Sequence, residues 1–183
     1  IVKEHLHEAE ESLKRDGIPF DPGYRLGIML EVPSALWALP DMLPEIDFVS
    51  IGTNDLTQYT FAVDRGNSRV TKWFRELHPV VLRMIKQTCD LVQGTPGKTV
   101  SLCGEIAGSP FATPLLMGCG LRFLSMNPWR IPRVRSVVRS VSMADCQTLL
   151  NQAVACRLDS EVTELTKSFA RKCGIAGEGP RIQ

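Results

Sequence analysis

Apolar residues recur at Ile1, Val2, Leu6, Ala9 and Leu13 within a charged background that stops at Gly17. This spacing predicts an amphipathic helix already under way at residue 1. Residues 24–32 are almost continuously apolar, interrupted by Arg25 and Glu31 and bounded by Pro22-Gly23 and Pro33, which predicts a parallel strand covered on both faces. A helix over about 34–42 and a strand over 48–51 follow at short spacing and complete a strand-helix-strand unit. Pro79 then opens a helix whose face (Val80, Val81, Met84, Ile85, Thr88, Leu91, Val92) runs to Gly94. A third strand over 98–103, a short helix over 110–117 and a fourth strand over 121–126 continue the alternation. Pro132 begins a helix to about 141. Ser142-Met143-Ala144-Asp145 resembles a capping box opening a long helical region that presents Cys146, Leu149, Leu150, Ala153 and Val154 on one face, continues to about Lys172 and stops before Gly174. The Gly177-Glu178-Gly179-Pro180 tail reads as frayed.

The densest chemistry lies in residues 47–66. A short strand runs into Gly52-Thr53-Asn54-Asp55, where the backbone turns while a hydroxyl, an amide and a carboxylate project from the strand's carboxyl end, the place where α/β enzymes put their chemistry. The run from Ser50 to Tyr59, followed by Asp64-Arg65, is similar to a signature of the phosphoenolpyruvate-utilising enzymes, which include Enzyme I of the bacterial phosphotransferase system and pyruvate phosphate dikinase. Four strands alternating with helices match half of an eight-stranded (β/α) barrel, for which about 250 residues are usual. The resemblance implies that these are the fifth to eighth strands, preceded by the fourth helix. The expected fold class is therefore α/β, the C-terminal half of a (β/α)8 TIM barrel over residues 1–141, with a helical extension of the same domain over 142–183. Residues 27–34, 62–67 and 124–127 and the long tail look closest to the nitrogen-related branch of Enzyme I.

Composition excludes several other classes. With 21 basic and 20 acidic side chains among 183 residues, there is no electrostatic case for nucleic acid or membrane. No apolar run of about 18 residues and no leader pattern occur, which makes the cytoplasm the simplest compartment. The six cysteines lack Cys-x-x-Cys spacing and read as reduced thiols, most of them small core residues.

Glu31, near the end of the first strand, and Asp55, beyond the end of the second, are two carboxylates able to converge on one hard cation. Their alternatives are a salt bridge for Glu31 and a capping role for Asp55. In Enzyme I the residues at these positions hold Mg²⁺, so the resemblance implies a magnesium site there. It likewise assigns Asn54, with Asp55 and Arg65, to phosphoenolpyruvate binding; the Arg65 fork suits phosphate oxygens. Cys103, in Ser101-Leu102-Cys103-Gly104-Glu105-Ile106-Ala107-Gly108, corresponds to the family's general acid, the thiol that protonates the enolate left when phosphoenolpyruvate loses its phosphoryl group. Glu105 positions that loop or contacts substrate. Ser109 departs from the family's usual acidic residue.

Three further patterns carry no site. Gly94-Thr95-Pro96-Gly97-Lys98-Thr99 lacks the first glycine of a P-loop, having Val92 in its place, and precedes a strand. His5 and His7 diverge by roughly 200° on a helix. His78-Pro79 is the opening of a helix and does not match the family's phosphorylated histidine. Arg69 reads as surface. In Enzyme I that histidine lies on a separate N-terminal domain, through which the family passes phosphoryl groups to a histidine phosphocarrier protein of the HPr or NPr type, and the barrel domain forms homodimers. Rival readings are the barrel of a dikinase-type enzyme, told apart by the domains upstream, and a non-catalytic regulatory or dimerisation module. Strand residues facing the opposite barrel wall would be Ile28, Leu30 and Val49 or their alternating neighbours.

Overall fold

The computed structural model describes residues 1–175. Helix α1 (Val2–Arg15) precedes four strands, β1 (Gly27–Leu30), β2 (Phe48–Gly52), β3 (Thr99–Cys103) and β4 (Phe123–Ser125). Between them lie α2 (Pro33–Met42), α3 (Thr53–Phe61), α4 (Pro79–Gln93) and α5 (Thr113–Gly118), and α6 (Ile131–Ser140), α7 (Met143–Ala155) and α8 (Asp159–Lys172) follow. All strand pairs are parallel, in the order β1-β2-β3-β4. The register sets Leu30, Ile51, Leu102 and Leu124 in one row and Gly52, Cys103 and Ser125 in the next. The carboxyl ends of three consecutive strands therefore finish level, and the residues just beyond them share one rim.

One face of the sheet is packed and the other is open, which corrects the expectation of strands covered on both faces. Leu30, Val49, Ile51, Val100 and Leu102 are buried against the helices. Their alternating neighbours Met29 and Phe123 are 48% and 61% exposed; Ser50 and Ser101 in the same row, and Cys103 two residues further on, are half-buried. The residues turned away from the helices are thus Met29, Phe48, Ser50 and Cys103, while Ile28, Leu30 and Val49 belong to the helix-side core. Phe48 lies over Gly27, where any side chain atom would stand 2.4 Å from the ring. On the helix side, α4 supplies Val81, Leu82, Ile85, Cys89 and Val92, none of them exposed, and Pro79 occupies its first turn. Helix α5 approaches α7 so closely that a methyl group on Gly118 would meet the Cys146 carbonyl at 2.5 Å.

Several boundaries differ from those the pattern predicts. Strand β1 is confined to four residues, because Leu26 is already tied down by the Asp47 carboxylate, which accepts its amide at 2.8 Å, and Pro33 lacks a donor beyond Val32. Glu31 therefore lies past the strand. The segment after Gly52 is a helix from its first residue, unanticipated because two of its three buried positions are threonines, Thr53 and Thr57, beside Leu56. The long C-terminal helical region is made of two helices. Arg83 donates to the Val154 and Cys156 carbonyls at 2.7 and 2.8 Å, closing α7. Glu161 accepts from the Arg157 and Leu158 amides at 2.8 and 2.9 Å, starting α8. Ser142 caps α7 as expected, accepting from the Asp145 amide at 3.1 Å. The predicted frayed tail at 177–180 lies outside the described residues.

Candidate functional site at the strand ends

Gly52 is the centre of the rim. Continuing the register by one residue places Glu31 beside it on one side, and Cys103 is its partner on the other. A methyl group on Gly52 would stand 3.0 Å from Glu31 Cβ, 3.2 Å from Glu31 Oε2 and 3.2 Å from Met29 Sδ. The missing side chain lets the Glu31 carboxylate fold over the end of β2. Glu31 and Cys103 thus flank a gap of about two strand spacings, roughly 10 Å between backbones, whose floor is a glycine and over which the Met29 thioether lies.

Behind the gap, the starts of α3 and of the 105–108 turn are sewn together. Thr53 Oγ1 donates to the Cys103 carbonyl at 3.0 Å, and Asn54 Oδ1 accepts from the Glu105 amide at 3.1 Å. Gly104 makes this seam possible: its φ is +134°, a region that side chains rarely adopt, and a methyl group there would lie 2.1 Å from Thr53 Oγ1. With its oxygen engaged, Asn54 keeps its amide NH₂ as a donor. The Cys103 thiol stands 3.7 Å from Met29 Sδ and receives the Ser50 hydroxyl at 3.9 Å. The place of Met29 and Ser50 beside the thiol was not read from the sequence; the available signal was their alternation along the strands onto the face that carries Cys103.

Asp55 occupies the first turn of α3, where a carboxylate is favoured by the helix dipole. Gly52 is the N-cap and no side chain caps this helix, so Asp55 is not held by capping. Among the described residues neither Glu31 nor Asp55 takes part in an ion pair. Both carboxylates are half-buried. No group of three or more metal-ligating side chains occurs among the described residues, so a cation here would take two protein carboxylates and complete its shell elsewhere, as Mg²⁺ does with water and phosphate. Arg65 lies outside this rim on the exposed loop after α3, its amide donating to Gln58 Oε1 at 3.4 Å. Arg69 is exposed as well.

Glu76 was not singled out by any motif. Its Oε1 is buried without a hydrogen-bond partner. Burial, and next the neighbouring Glu105, push its carboxyl above the ordinary range, with Ile106 and Arg65 acting in the opposite sense. A carboxyl raised in the folded state disfavours the fold in its ionised form, a cost absent below the unfolded value of about 4.3 and complete above the folded one. Glu76→Gln is therefore expected to raise the melting temperature at about pH 7, with the gain vanishing below about pH 4. Melting scans across pH check this; no gain at neutral pH would show that the carboxylate is already compensated.

His78 opens α4, accepting from the Val80 amide through Nδ1 at 3.2 Å, with its ring edge-on to Phe61 at 5.0 Å. Burial lowers its pKa. Among the cysteines, Cys89, Cys119 and Cys146 are buried, and burial pushes the first up to about 12 and the last to about 11, which makes them inert packing groups. Cys103 is half-buried, with its sulfur on the open face. No helix among the described residues is long and apolar enough to cross a membrane.

Comparison with known proteins places the chain among enzymes that use phosphoenolpyruvate. The chain is 45% identical over 168 residues to multiphosphoryl transfer protein 2 of Escherichia coli (strain K12), covering 92% of this chain and 20% of that protein. It is 38% identical over 169 residues to a phosphoenolpyruvate-protein phosphotransferase of Buchnera aphidicola (subsp. Acyrthosiphon pisum), covering 92% and 29%. A Salmonella typhimurium protein named phosphoenolpyruvate-dependent phosphotransferase system is 41% identical over 156 residues, covering 85% and 21%. The chain thus spans between a fifth and a third of the length of these relatives. Residues 1–143 match the family model described as PEP-utilising enzyme, PEP-binding domain, and the chain belongs to that family.

Proposed function

We propose that this chain is the phosphoenolpyruvate-binding part of a phosphoenolpyruvate-protein phosphotransferase, built as the C-terminal half of a (β/α)8 barrel whose interior side is the open face of the sheet. The observation that carries the reading is the gap over Gly52, with a carboxylate on one side, a thiol on the other and Asn54 sewn to the thiol's loop. Glu31 and Asp55 would hold Mg²⁺, which offsets negative charge on the phosphate when bound. Asn54 donates to the substrate, and Arg65 adds a fork from the loop above. The phosphoryl group leaves for a histidine on another domain of the full-length protein and from there reaches a phosphocarrier of the HPr or NPr type. Departure of the phosphoryl group gives an enolate. Its methylene carbon forms a C–H bond with the Cys103 thiol proton, the S–H bond breaks, and pyruvate and a thiolate result. The Ser50 hydroxyl faces that sulfur and steadies the thiolate until water returns a proton.

Calorimetry of phosphoenolpyruvate binding to the full-length protein, with and without Mg²⁺, tests the reading. Magnesium is expected to tighten binding at least about tenfold, and Glu31→Gln or Asp55→Asn to remove most of that gain. Tight binding indifferent to the metal and to both carboxylates would overturn the assignment. A homodimer through this domain remains part of the proposal and is read from sedimentation of the same protein.

A further inference from the structure

The thioether of Met29 leaves the row to which its backbone belongs. Met29 pairs with Ser50 in the register and is 48% exposed on the open face, whereas its neighbours Ile28 and Leu30 pack on the helix side. Its sulfur nevertheless reaches the row two residues nearer the rim. It stands 3.7 Å from Cys103 Sγ and 3.2 Å from the point that a methyl group on Gly52 would occupy, and Glu31 Oε2 lies 3.2 Å from that same point. The space over Gly52 is therefore bordered by three groups of unlike chemistry, a carboxylate, a thiol and a thioether. A thioether is apolar and polarisable, a weak acceptor with no donor, and a poor ligand for a hard cation. It offers nothing to a phosphate or to Mg²⁺ and suits the hydrocarbon part of a ligand.

We propose that Met29 determines specificity at the enol carbon of the substrate: its thioether lies against the methylene group and leaves no room there for a substituent, which restricts the site to the unsubstituted three-carbon enol phosphate. The inference rests on Cys103 protonating that carbon, as proposed above. Proton delivery brings the methylene carbon to within about 3–3.5 Å of the Cys103 sulfur. A thioether already 3.7 Å from the same sulfur then borders that carbon as well. Negative charge draws the phosphate end of the substrate toward the metal and Asn54, so the apolar end is the one left facing Met29. In the free site the thiol donates its proton to the thioether, which accepts too weakly to compete with the enolate carbon once that forms. Met29 adds no step to the reaction; the proton still passes from Cys103 to carbon.

The test is turnover, by the full-length protein, of phosphoenolpyruvate and of the Z and E isomers of 2-phosphoenolbutyrate, which carry an added methyl group on one or the other edge of the enol carbon. Each analogue's kcat/KM is divided by that for phosphoenolpyruvate on the same preparation, so the folded fraction of a variant cancels. In Met29→Ala this ratio is expected to rise on the order of tenfold for at least one isomer, the discrimination that a single methylene commands in an apolar pocket. Met29→Leu, of similar volume, should keep both ratios within about threefold of the wild type. If a melt shows that Met29→Ala does not fold, Met29→Val shortens the side chain with a residue that strands favour and is expected to move the ratio the same way. Ratios in the shortened variant that match the wild type for both isomers overturn the inference, and so does a Met29→Leu protein as permissive as Met29→Ala. Either result leaves the proposed function standing as long as the wild type turns over phosphoenolpyruvate. A full-length wild type that does not turn it over overturns that reading and the inference built on it.

Discussion

Replacing Cys103 with serine in the full-length protein is expected to lower phosphoryl turnover on the order of 10²-fold while phosphoenolpyruvate binding stays near normal. A hydroxyl fills the same place at the end of β3, but it is a far poorer acid. The binding groups stand on other elements: Asn54 on α3, Glu31 beyond β1 and Arg65 on the loop after α3. Nothing in the substitution disturbs them. Turnover and calorimetric affinity measured on one preparation separate the two effects, and near-normal turnover would reduce Cys103 to a packing residue. The same change at Cys89 or Cys146 would be felt as lost core packing instead, since both are buried.

Gly104→Ala should be the most damaging small substitution at the site. The added methyl group would meet Thr53 Oγ1 at 2.1 Å and Asn54 Oδ1 at 3.1 Å, on a backbone whose φ of +134° already resists any side chain. Strain and overpacking together cost about 3 kcal/mol. Relief requires the bonds from Thr53 to Cys103 and from Glu105 to Asn54 to open, which moves the binding amide and the acid together. Both the melting temperature and the affinity for phosphoenolpyruvate are therefore expected to fall. A variant that melts and binds like the parent would show that the loop accommodates a side chain by rearranging away from α3.

The order of strands and helices was legible because the apolar runs are short and bounded by Gly and Pro, and Pro79 and Ser142 open helices where their chemistry predicts. Helix α3 was not. Thr53 and Thr57 are fully buried there and supply no apolar stripe. The break between α7 and α8 was invisible for a different reason: it is made partly by Arg83 on another helix, whose reach to Val154 and Cys156 spans more than seventy positions of sequence. At the site, the family resemblance pointed to Glu31, Asn54, Asp55 and Cys103, and the structure brings Glu31, Asn54 and Cys103 to one rim. It could not show that a glycine separates carboxylate from thiol, since that depends on register across three strands. Glu76 left no trace in the sequence because its interest lies in an unpaired oxygen, which only packing reveals.

The seam between Asn54 and Glu105 also limits how the two loops can diverge. Arg65 rides on an exposed connection outside this seam. An insertion between Gly52 and Asn54, or between Cys103 and Glu105, would slide one side of the seam past the other and disconnect both. Descendants of this chain are free to reshape their contact with a partner or with the substrate's outer edge, but the joint between binding amide and acid must be inherited as a single piece.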